Sequence, residues 1–78
     1  MSAVMQNLVM LPRLTTRETE VLRLLAQGST YSTAGDKLGI SLHTITTHVK
    51  SIYRKLEVHS AAAAVMRAIE LQVLEQKS

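Results

Sequence analysis

The sequence predicts an all-α fold of four helices, and three features lead to this prediction. The chain shows no alternation of apolar and polar residues of the kind that a β-strand requires. Four segments each follow a threonine or serine, the residue types that commonly cap the N-terminus of a helix. In the third of these segments, the apolar residues recur at the spacing of a single helical face.

The composition sets the limits of the fold and excludes several function classes. The 78 residues allow one domain with a modest core, and this core must be aliphatic because only 3% of the residues are aromatic. Cysteine is absent, which excludes disulfides, thiolate metal sites and a cysteine nucleophile. The net charge of +3 favours a polyanionic partner. No segment has the roughly 18 apolar residues of a membrane span, so we expect a soluble cytoplasmic protein with no membrane partner.

The first helix is expected to follow a tail or linker of residues 1–13. Pro12 disfavours helix at the residue before it, and the first cap is Thr15. Thr15 and Glu18 have the spacing of a capping box, in which each side chain accepts from the other residue's backbone amide. Gly28 is expected to end this helix because it adopts the left-handed conformation without strain. The apolar stripe consists of Val21, Leu22 and Leu25.

The second helix is expected to span about residues 31–38, with Thr30 as its cap and Gly39 as its end. It has the lowest helix propensity of the four. Gly35 alone costs about 1 kcal/mol relative to alanine, so tertiary contacts must hold this helix.

The third helix is expected to span about residues 42–56, capped by Ser41, and its faces separate clearly at 100° per residue. The inward face consists of Ile45, Val49, Ile52 and Leu56. The opposite face consists of His43, Thr47, Lys50 and Arg54. One flank consists of Thr44, His48, Ser51 and Lys55, and Thr46 lies on the other flank.

The fourth helix is expected to run from Ala61 to about Glu75, capped by Ser60, because four consecutive alanines have high helix propensity. The residues expected to face the core are Val65, Ala68 and Ile69. The exposed face is expected to consist of Ala63, Met66, Arg67 and Glu70.

The short, glycine-containing connection between the second and third helices is typical of a helix-turn-helix motif. The second member of such a motif enters the major groove of DNA. Lys50 and Arg54 can reach guanine O6 and N7, and Thr46 and Thr47 can bond to bases or contact a thymine methyl. The flank of Thr44, His48, Ser51 and Lys55 suits phosphate oxygens, which set register without reading sequence.

Several motifs with specific spacing resemble the LuxR-type helix-turn-helix domain, also called the GerE or NarL/FixJ type. They are Leu-Thr-Thr-Arg-Glu-Thr-Glu-Val-Leu at 14–22, Ala-Gln-Gly at 26–28, Leu-Gly-Ile-Ser at 38–41, Thr-Ile-Thr-Thr-His-Val at 44–49, Lys-Leu at 55–56 and Val-His-Ser at 58–60. The resemblance covers residue 14 to about residue 74, and we expect the domain to occupy residues 14–76. It implies a four-helix domain whose third helix reads DNA and whose fourth helix forms a homodimer.

The resemblance also implies roles for individual residues. The positions that match base-reading residues are Thr46, Thr47 and Lys50. The positions that match phosphate contacts are Thr30, Tyr31, Thr44, His48, Lys55 and Ser60. The dimer contact would consist of Ala63, Met66, Arg67 and Glu70. The chain departs from the family pattern at Thr46, where Lys or Glu is usual, at Gly35, where Ala is usual, and at Ala61, where Arg is common.

These observations predict a regulator of transcription, or its DNA-binding output domain, that binds double-stranded promoter DNA as a homodimer. RNA polymerase is a further candidate partner, and family members commonly carry a receiver or ligand sensor ahead of this module. The alternative is a helical interaction module that pairs through the fourth helix and modulates another regulator. His48 could instead be a buried structural residue, Tyr31 a packing residue, and the Ala63–Met66 patch ordinary surface.

An enzyme, a cofactor and a metal site are not expected. No serine or threonine is placed with a base and an acid in a plausible pocket. His43 and His48 diverge by about 140° around the third helix, so they do not converge on one metal ion.

Overall fold

The computed structural model describes residues 13–71 and residue 74, and these residues form four α-helices with no β-strand. The helices are α1 (Thr16–Ala26), α2 (Tyr31–Leu38), α3 (Leu42–Leu56) and α4 (Ala61–Glu70). The predicted all-α, four-helix fold is confirmed. The division into a tail of residues 1–13 and a domain of residues 14–76 stays a prediction, because most of the tail and the end of the domain lie outside the described residues.

Each helix begins at the hydroxyl residue that the sequence indicates. The side chains of the caps accept from the backbone amide three residues on, as Thr15 does from Glu18 and Ser41 does from Thr44. In α1 the capping box is complete, since the Thr15 amide also donates to Glu18 Oε1 over 2.9 Å. A cap of this kind contributes about 1 kcal/mol. The four caps are Thr15, Thr30, Ser41 and Ser60.

The core is aliphatic, as the sequence predicts, and it centres on α3. The inward face of α3 is buried, and α1 and α3 each contact all three other helices, whereas α2 and α4 do not contact each other. The buried apolar residues are Val21, Leu22, Ala34, Ile45, Val49, Ile52, Leu56, Ala64, Ala68 and Leu74. Packing on several sides therefore fixes α3 and leaves its polar face outward.

A close approach between α2 and the following turn explains how the weak second helix is held. A Cβ added at Gly35 would lie 2.8 Å from the backbone oxygen of Ile40. The Ile40 amide also donates to the Gly35 carbonyl over 2.9 Å. The missing side chain thus lowers helix propensity but lets the turn approach α2 more closely than a Cβ allows in this arrangement.

The interpretation of the fourth helix needs two corrections. Ala64 is fully buried together with Ala68, although the sequence did not indicate it, whereas Val65 and Ile69 pack against the core but are only half-buried. Ala64 and Ala68 lie one turn apart, so their small side chains let α4 approach the rest of the domain closely. The helix also ends at Glu70 rather than near residue 75, which lies outside the described residues.

The chain leaves the helix at Leu71, after which the Leu74 amide donates to the carbonyl of Ala68 over 3.3 Å. Leu74 is buried with the core. Leu74 therefore returns an apolar side chain to the core after α4 has ended.

The register of α4 can be tested with leucine substitutions in its alanine run. We expect Ala64→Leu to lower the free energy of unfolding by about 1–3 kcal/mol, because the added atoms enter a filled core. The matched variant Ala62→Leu lies at an exposed position and should change it by no more than about 0.5 kcal/mol. Denaturant titration of both variants gives the comparison, and equal effects would contradict this register.

Candidate nucleic-acid interface

A three-residue turn joins α2 to α3 and sets the angle between them. Gly39 ends α2 in the left-handed conformation, with φ 71° and ψ 32°, and its amide donates to the Asp36 carbonyl. Ile40 is half-buried, and Ser41 then caps α3. The turn therefore has little freedom, and it holds α3 with its polar face toward solvent.

The exposed face of α3 carries most of the residues that the sequence assigns to base reading. Thr47, Lys50 and Arg54 are exposed, and Thr46 is half-buried on the neighbouring flank. The helix presents two cations from successive turns, with hydroxyl and methyl groups nearer its N-terminus. Such groups match the acceptors and thymine methyls of the major groove.

The hydroxyls of both threonines are engaged within α3. Thr46 donates to the Leu42 carbonyl over 3.0 Å, and Thr47 donates to the His43 carbonyl over 3.1 Å. Since each hydroxyl proton is in use, these side chains offer an oxygen acceptor and a methyl group in this arrangement. They are thus suited to bases that present an amino group or a methyl group.

The residues predicted to contact phosphate fall into two groups by their surroundings. Thr44 and His48 are half-buried on the flank of α3, and the Thr44 hydroxyl is 3.0 Å from that of Ser41. Ser51 and Lys55, also on this flank, both donate to Glu18 of α1. The phosphate role of all four residues stays a prediction, but the second pair also has a structural role.

Glu18 is the buried polar centre that links α1 to α3, and it is only 4% exposed. Ser51 Oγ donates to Glu18 Oε2 over 2.7 Å, and Lys55 Nζ donates to Glu18 Oε1 over 2.8 Å. Burial alone raises the pKa of this carboxyl. The hydrogen bonds from Lys55, the Thr15 amide and Ser51, with the charge of Lys55, outweigh burial and lower the pKa to about 2.

The sequence predicts only the capping-box role of Glu18 and does not indicate this second role. The two donors lie 33 and 37 residues further along the chain, so no local spacing reveals the contact. Lys55 keeps 31% of its side chain exposed, and its ammonium group has three donors. It can therefore bind Glu18 and still donate to a second anion.

The remaining predicted phosphate contacts lie at the N-termini of α2 and α4. Thr30 and Ser60 are exposed, and both serve as caps. Tyr31 is half-buried, and its hydroxyl is 3.4 Å from that of Tyr53 on α3. Burial, followed by the contact with Tyr31, raises the pKa of Tyr53 to about 12. Tyr31 therefore has a packing role beside its predicted DNA contact.

A groove of about 510 Å³ lies at the C-terminal end of α3. Its lining residues are Lys50, Tyr53, Arg54, Glu57, Val58 and His59. The groove continues the cationic face of α3, but it also contains one carboxylate. This carboxylate belongs to Glu57, which opposes the positive charge of the neighbouring Lys50 and Arg54.

The residues predicted to form the dimer contact are only partly on one exposed face. Met66, Arg67 and Glu70 are exposed, and 62% of Met66 is accessible, whereas Ala63 is half-buried. Met66 also borders an apolar groove of about 410 Å³ between α1 and α4. The other residues that line this groove are Leu25, Ala26, Ala61, Ala62 and Val65.

Within residues 13–71 and at residue 74, no helix is long and apolar enough to cross a membrane. The described residues also contain no group of three or more His, Asp or Glu side chains that could hold a metal ion.

The short turn, the capped helix α3 and the outward cationic face of α3 define a helix-turn-helix DNA-binding domain. The chain belongs to the luxR family of bacterial regulatory proteins, whose profile matches residues 12–68. The resemblance noted in the sequence is thus confirmed.

Named relatives and one solved structure are consistent with this family. The chain is 42% identical to the transcriptional activator protein CarR of Pectobacterium carotovorum subsp. carotovorum, over 77% of this chain and 25% of CarR. It is 38% identical to the response regulatory protein YgeK of Escherichia coli K12, over 78% of this chain and 42% of YgeK. The chain therefore spans less than half the length of these relatives.

The structure resembles that of the response regulator ChrA from a heme-sensing two-component system, with a TM-score of 0.78 and 37% identity. The match covers 80% of this chain and 31% of ChrA. The similarity thus concerns one domain of ChrA.

The buried Glu18 carboxylate predicts an acid-dependent stability. Because its pKa falls from an ordinary 4.5 to about 2, its contribution is complete above pH 4.5 and is lost as the pH drops toward 2. We expect Glu18→Gln to remove up to about 3 kcal/mol of unfolding free energy at neutral pH and to remove this part of the acid dependence.

Denaturant titrations from neutral pH to pH 2 measure both effects. The exposed Glu20→Gln variant, which loses only an ion pair with Arg17, is the control and should change the stability by no more than about 0.5 kcal/mol. An unchanged acid profile in Glu18→Gln would show that Glu18 does not stabilise the fold through its charge.

Proposed function

We propose that this domain binds double-stranded promoter DNA in a sequence-specific manner and thereby regulates transcription in the bacterial cytoplasm. The main support is the position of α3, which is packed against the other three helices and directs an exposed face with Lys50 and Arg54 to solvent. A helix held in this way is suited to enter the major groove as a rigid element. Relatives named as transcriptional activators and regulators agree with this proposal.

In the proposed complex, bases are read by Thr46, Thr47, Lys50 and Arg54. Arg54 can donate two hydrogen bonds to guanine O6 and N7, and the Lys50 ammonium group can donate to the same acceptors. The two threonines contribute acceptor oxygens and methyl groups. Because the threonine hydroxyls donate to carbonyls of α3, the main hydrogen-bond donors of this face are the two cations. Sequence preference would thus depend most on Lys50 and Arg54.

Phosphate contacts come from three places around α3 in this proposal. Two of them are the N-termini of α2 and α4, where backbone amides and the helix dipole attract an anion. The third is the flank of α3, where Lys55 remains partly exposed beside Glu18. The residues in this role are Thr30, Tyr31, Thr44, His48, Ser51, Lys55 and Ser60.

A homodimer on DNA would place one α3 in each of two successive half-sites. The residues proposed for the contact on α4 are Ala63, Met66, Arg67 and Glu70. The structure favours the Met66 side of this surface, since Met66 is exposed and borders the apolar groove between α1 and α4. Burial of this groove against a second copy would remove apolar surface from water on both partners.

A titration of labelled promoter duplexes at two salt concentrations tests the DNA-binding proposal. Phosphate contacts make the affinity fall as salt rises, and a promoter site should be bound more tightly than a random duplex. If no promoter-derived duplex binds even at low salt, the proposal is wrong.

The division between base reading and phosphate contact predicts different results for two lysines. We expect Lys50→Ala to lose about 1–3 kcal/mol of discrimination at one base pair, because a donor to a base edge is removed. Its unfolding free energy should change little, since Lys50 is exposed. Lys55→Ala should weaken cognate and random duplexes alike and should also lower stability, because Glu18 loses its partner.

Duplexes with single base-pair changes measure the discrimination, and denaturant titration measures the stability of both variants. Lys37→Ala, which removes an exposed cation from α2, is the control for net charge. Equal losses on cognate and random DNA for Lys50→Ala would contradict its base-reading role.

The proposed dimer predicts that Met66→Ser weakens cooperative binding without weakening a single half-site. We expect the affinity ratio between a two-half-site duplex and a single half-site to fall by about tenfold, because a linked second site raises affinity by this order or more. Leu42→Ser, which removes the other large apolar side chain that is exposed among the described residues, should leave the ratio unchanged. A loss of regulation in Met66→Ser combined with full activity in Lys50→Ala would instead favour the interaction module.

A further inference from the structure

Glu57 ends α3 in a conformation that an L-residue with a side chain rarely adopts. Its φ is 58° and its ψ is 49°, and it is the only residue other than glycine with positive φ in the part of the chain that the structure describes. Glycine would adopt this conformation without the strain that a Cβ introduces. A side chain at residue 57 therefore lowers the stability of the fold relative to glycine.

The charge of Glu57 is a second unfavourable feature of this position. The C-terminus of a helix carries a partial negative charge, so a carboxylate there is repelled, whereas cations are stabilised. The last turn of α3 does contain the favoured cations, Arg54 and Lys55. Neither local helix stability nor backbone geometry therefore explains a glutamate at residue 57.

The place of Glu57 on the surface suggests its role. It lines the groove at the end of α3 together with Lys50, Arg54 and His59. Two of these residues belong to the face that the proposed function assigns to DNA. A carboxylate beside them reduces the positive potential that attracts phosphate.

We propose that Glu57 limits the affinity of this domain for the DNA backbone. This inference rests on the proposed function. The backbone attraction is independent of sequence and supplies nearly all of the non-specific binding. A carboxylate at the rim of the cationic face opposes that attraction on any duplex, so it shortens the time that the domain spends on random DNA.

Two variants separate the charge of Glu57 from its backbone strain. Glu57→Gln keeps a side chain in the left-handed conformation but removes the charge, whereas Glu57→Gly removes both. We expect both variants to bind a random duplex about three- to tenfold more tightly at low salt, with a gain that shrinks as salt rises. Glu57→Gly should raise the midpoint of thermal unfolding more than Glu57→Gln does, because Gln relieves only the repulsion at the helix C-terminus whereas Gly also relieves the backbone strain.

One control variant and the binding of the unaltered protein separate this inference from the proposed function. Glu20→Gln removes a partly exposed carboxylate from α1 and should leave the affinity for DNA unchanged. Failure of the unaltered protein to bind any duplex would overturn both the proposed function and this inference. If the unaltered protein binds DNA and Glu57→Gln binds the random duplex with equal affinity, this inference alone is wrong. It is also wrong if Glu57→Gln loses affinity for the cognate duplex only, because Glu57 would then read a base.

Discussion

The hydrogen bonds of Glu18 are the constraint on which the orientation of α3 depends. One carboxylate closes the capping box of α1 and accepts from Ser51 and Lys55 on successive turns of α3. Because it is nearly fully buried, it strongly favours the arrangement in which all three donors are in place. Rotation of α3 about its axis would take Ser51 and Lys55 away from Glu18 and leave this buried charge with the Thr15 amide alone. A helix that reads DNA must have a fixed rotation about its axis, because a rotation would turn every DNA-facing side chain to a different direction.

The apolar core and the turn between α2 and α3 also fix the positions of these two helices. The inward face of α3 packs against the other helices, and the close approach at Gly35 holds the short second helix against the turn. The weakest helix by propensity is thus held by tertiary contacts. Its own N-terminus, with Thr30 and Tyr31, is thereby fixed relative to α3. The Tyr31–Tyr53 hydroxyl contact also joins α2 to α3.

The helix limits could be predicted from the sequence because capping is local chemistry. Every helix starts after a threonine or serine whose side chain accepts from the backbone amide three residues on, and these residues can be recognised in the sequence. The end of α4 and its buried face could not be predicted, because four consecutive alanines carry no periodic hydrophobic signal and the burial of Ala64 and Leu74 depends on packing. The second role of Glu18 was equally hidden, since its donors are distant in sequence. The roles assigned to the DNA-facing residues stay predictions.

The charges on α3 suggest why a single copy of this domain would need a partner to bind firmly. Lys55 is bound to Glu18, and Glu57 stands beside Lys50 and Arg54, so the outer face attracts phosphate less than its count of cations implies. The threonine hydroxyls are engaged within the helix, which leaves few strong donors for bases. Two such faces on one duplex act at a high effective concentration. Under the proposed function, modest contacts by each copy would then combine into tight binding only where two half-sites have the correct spacing.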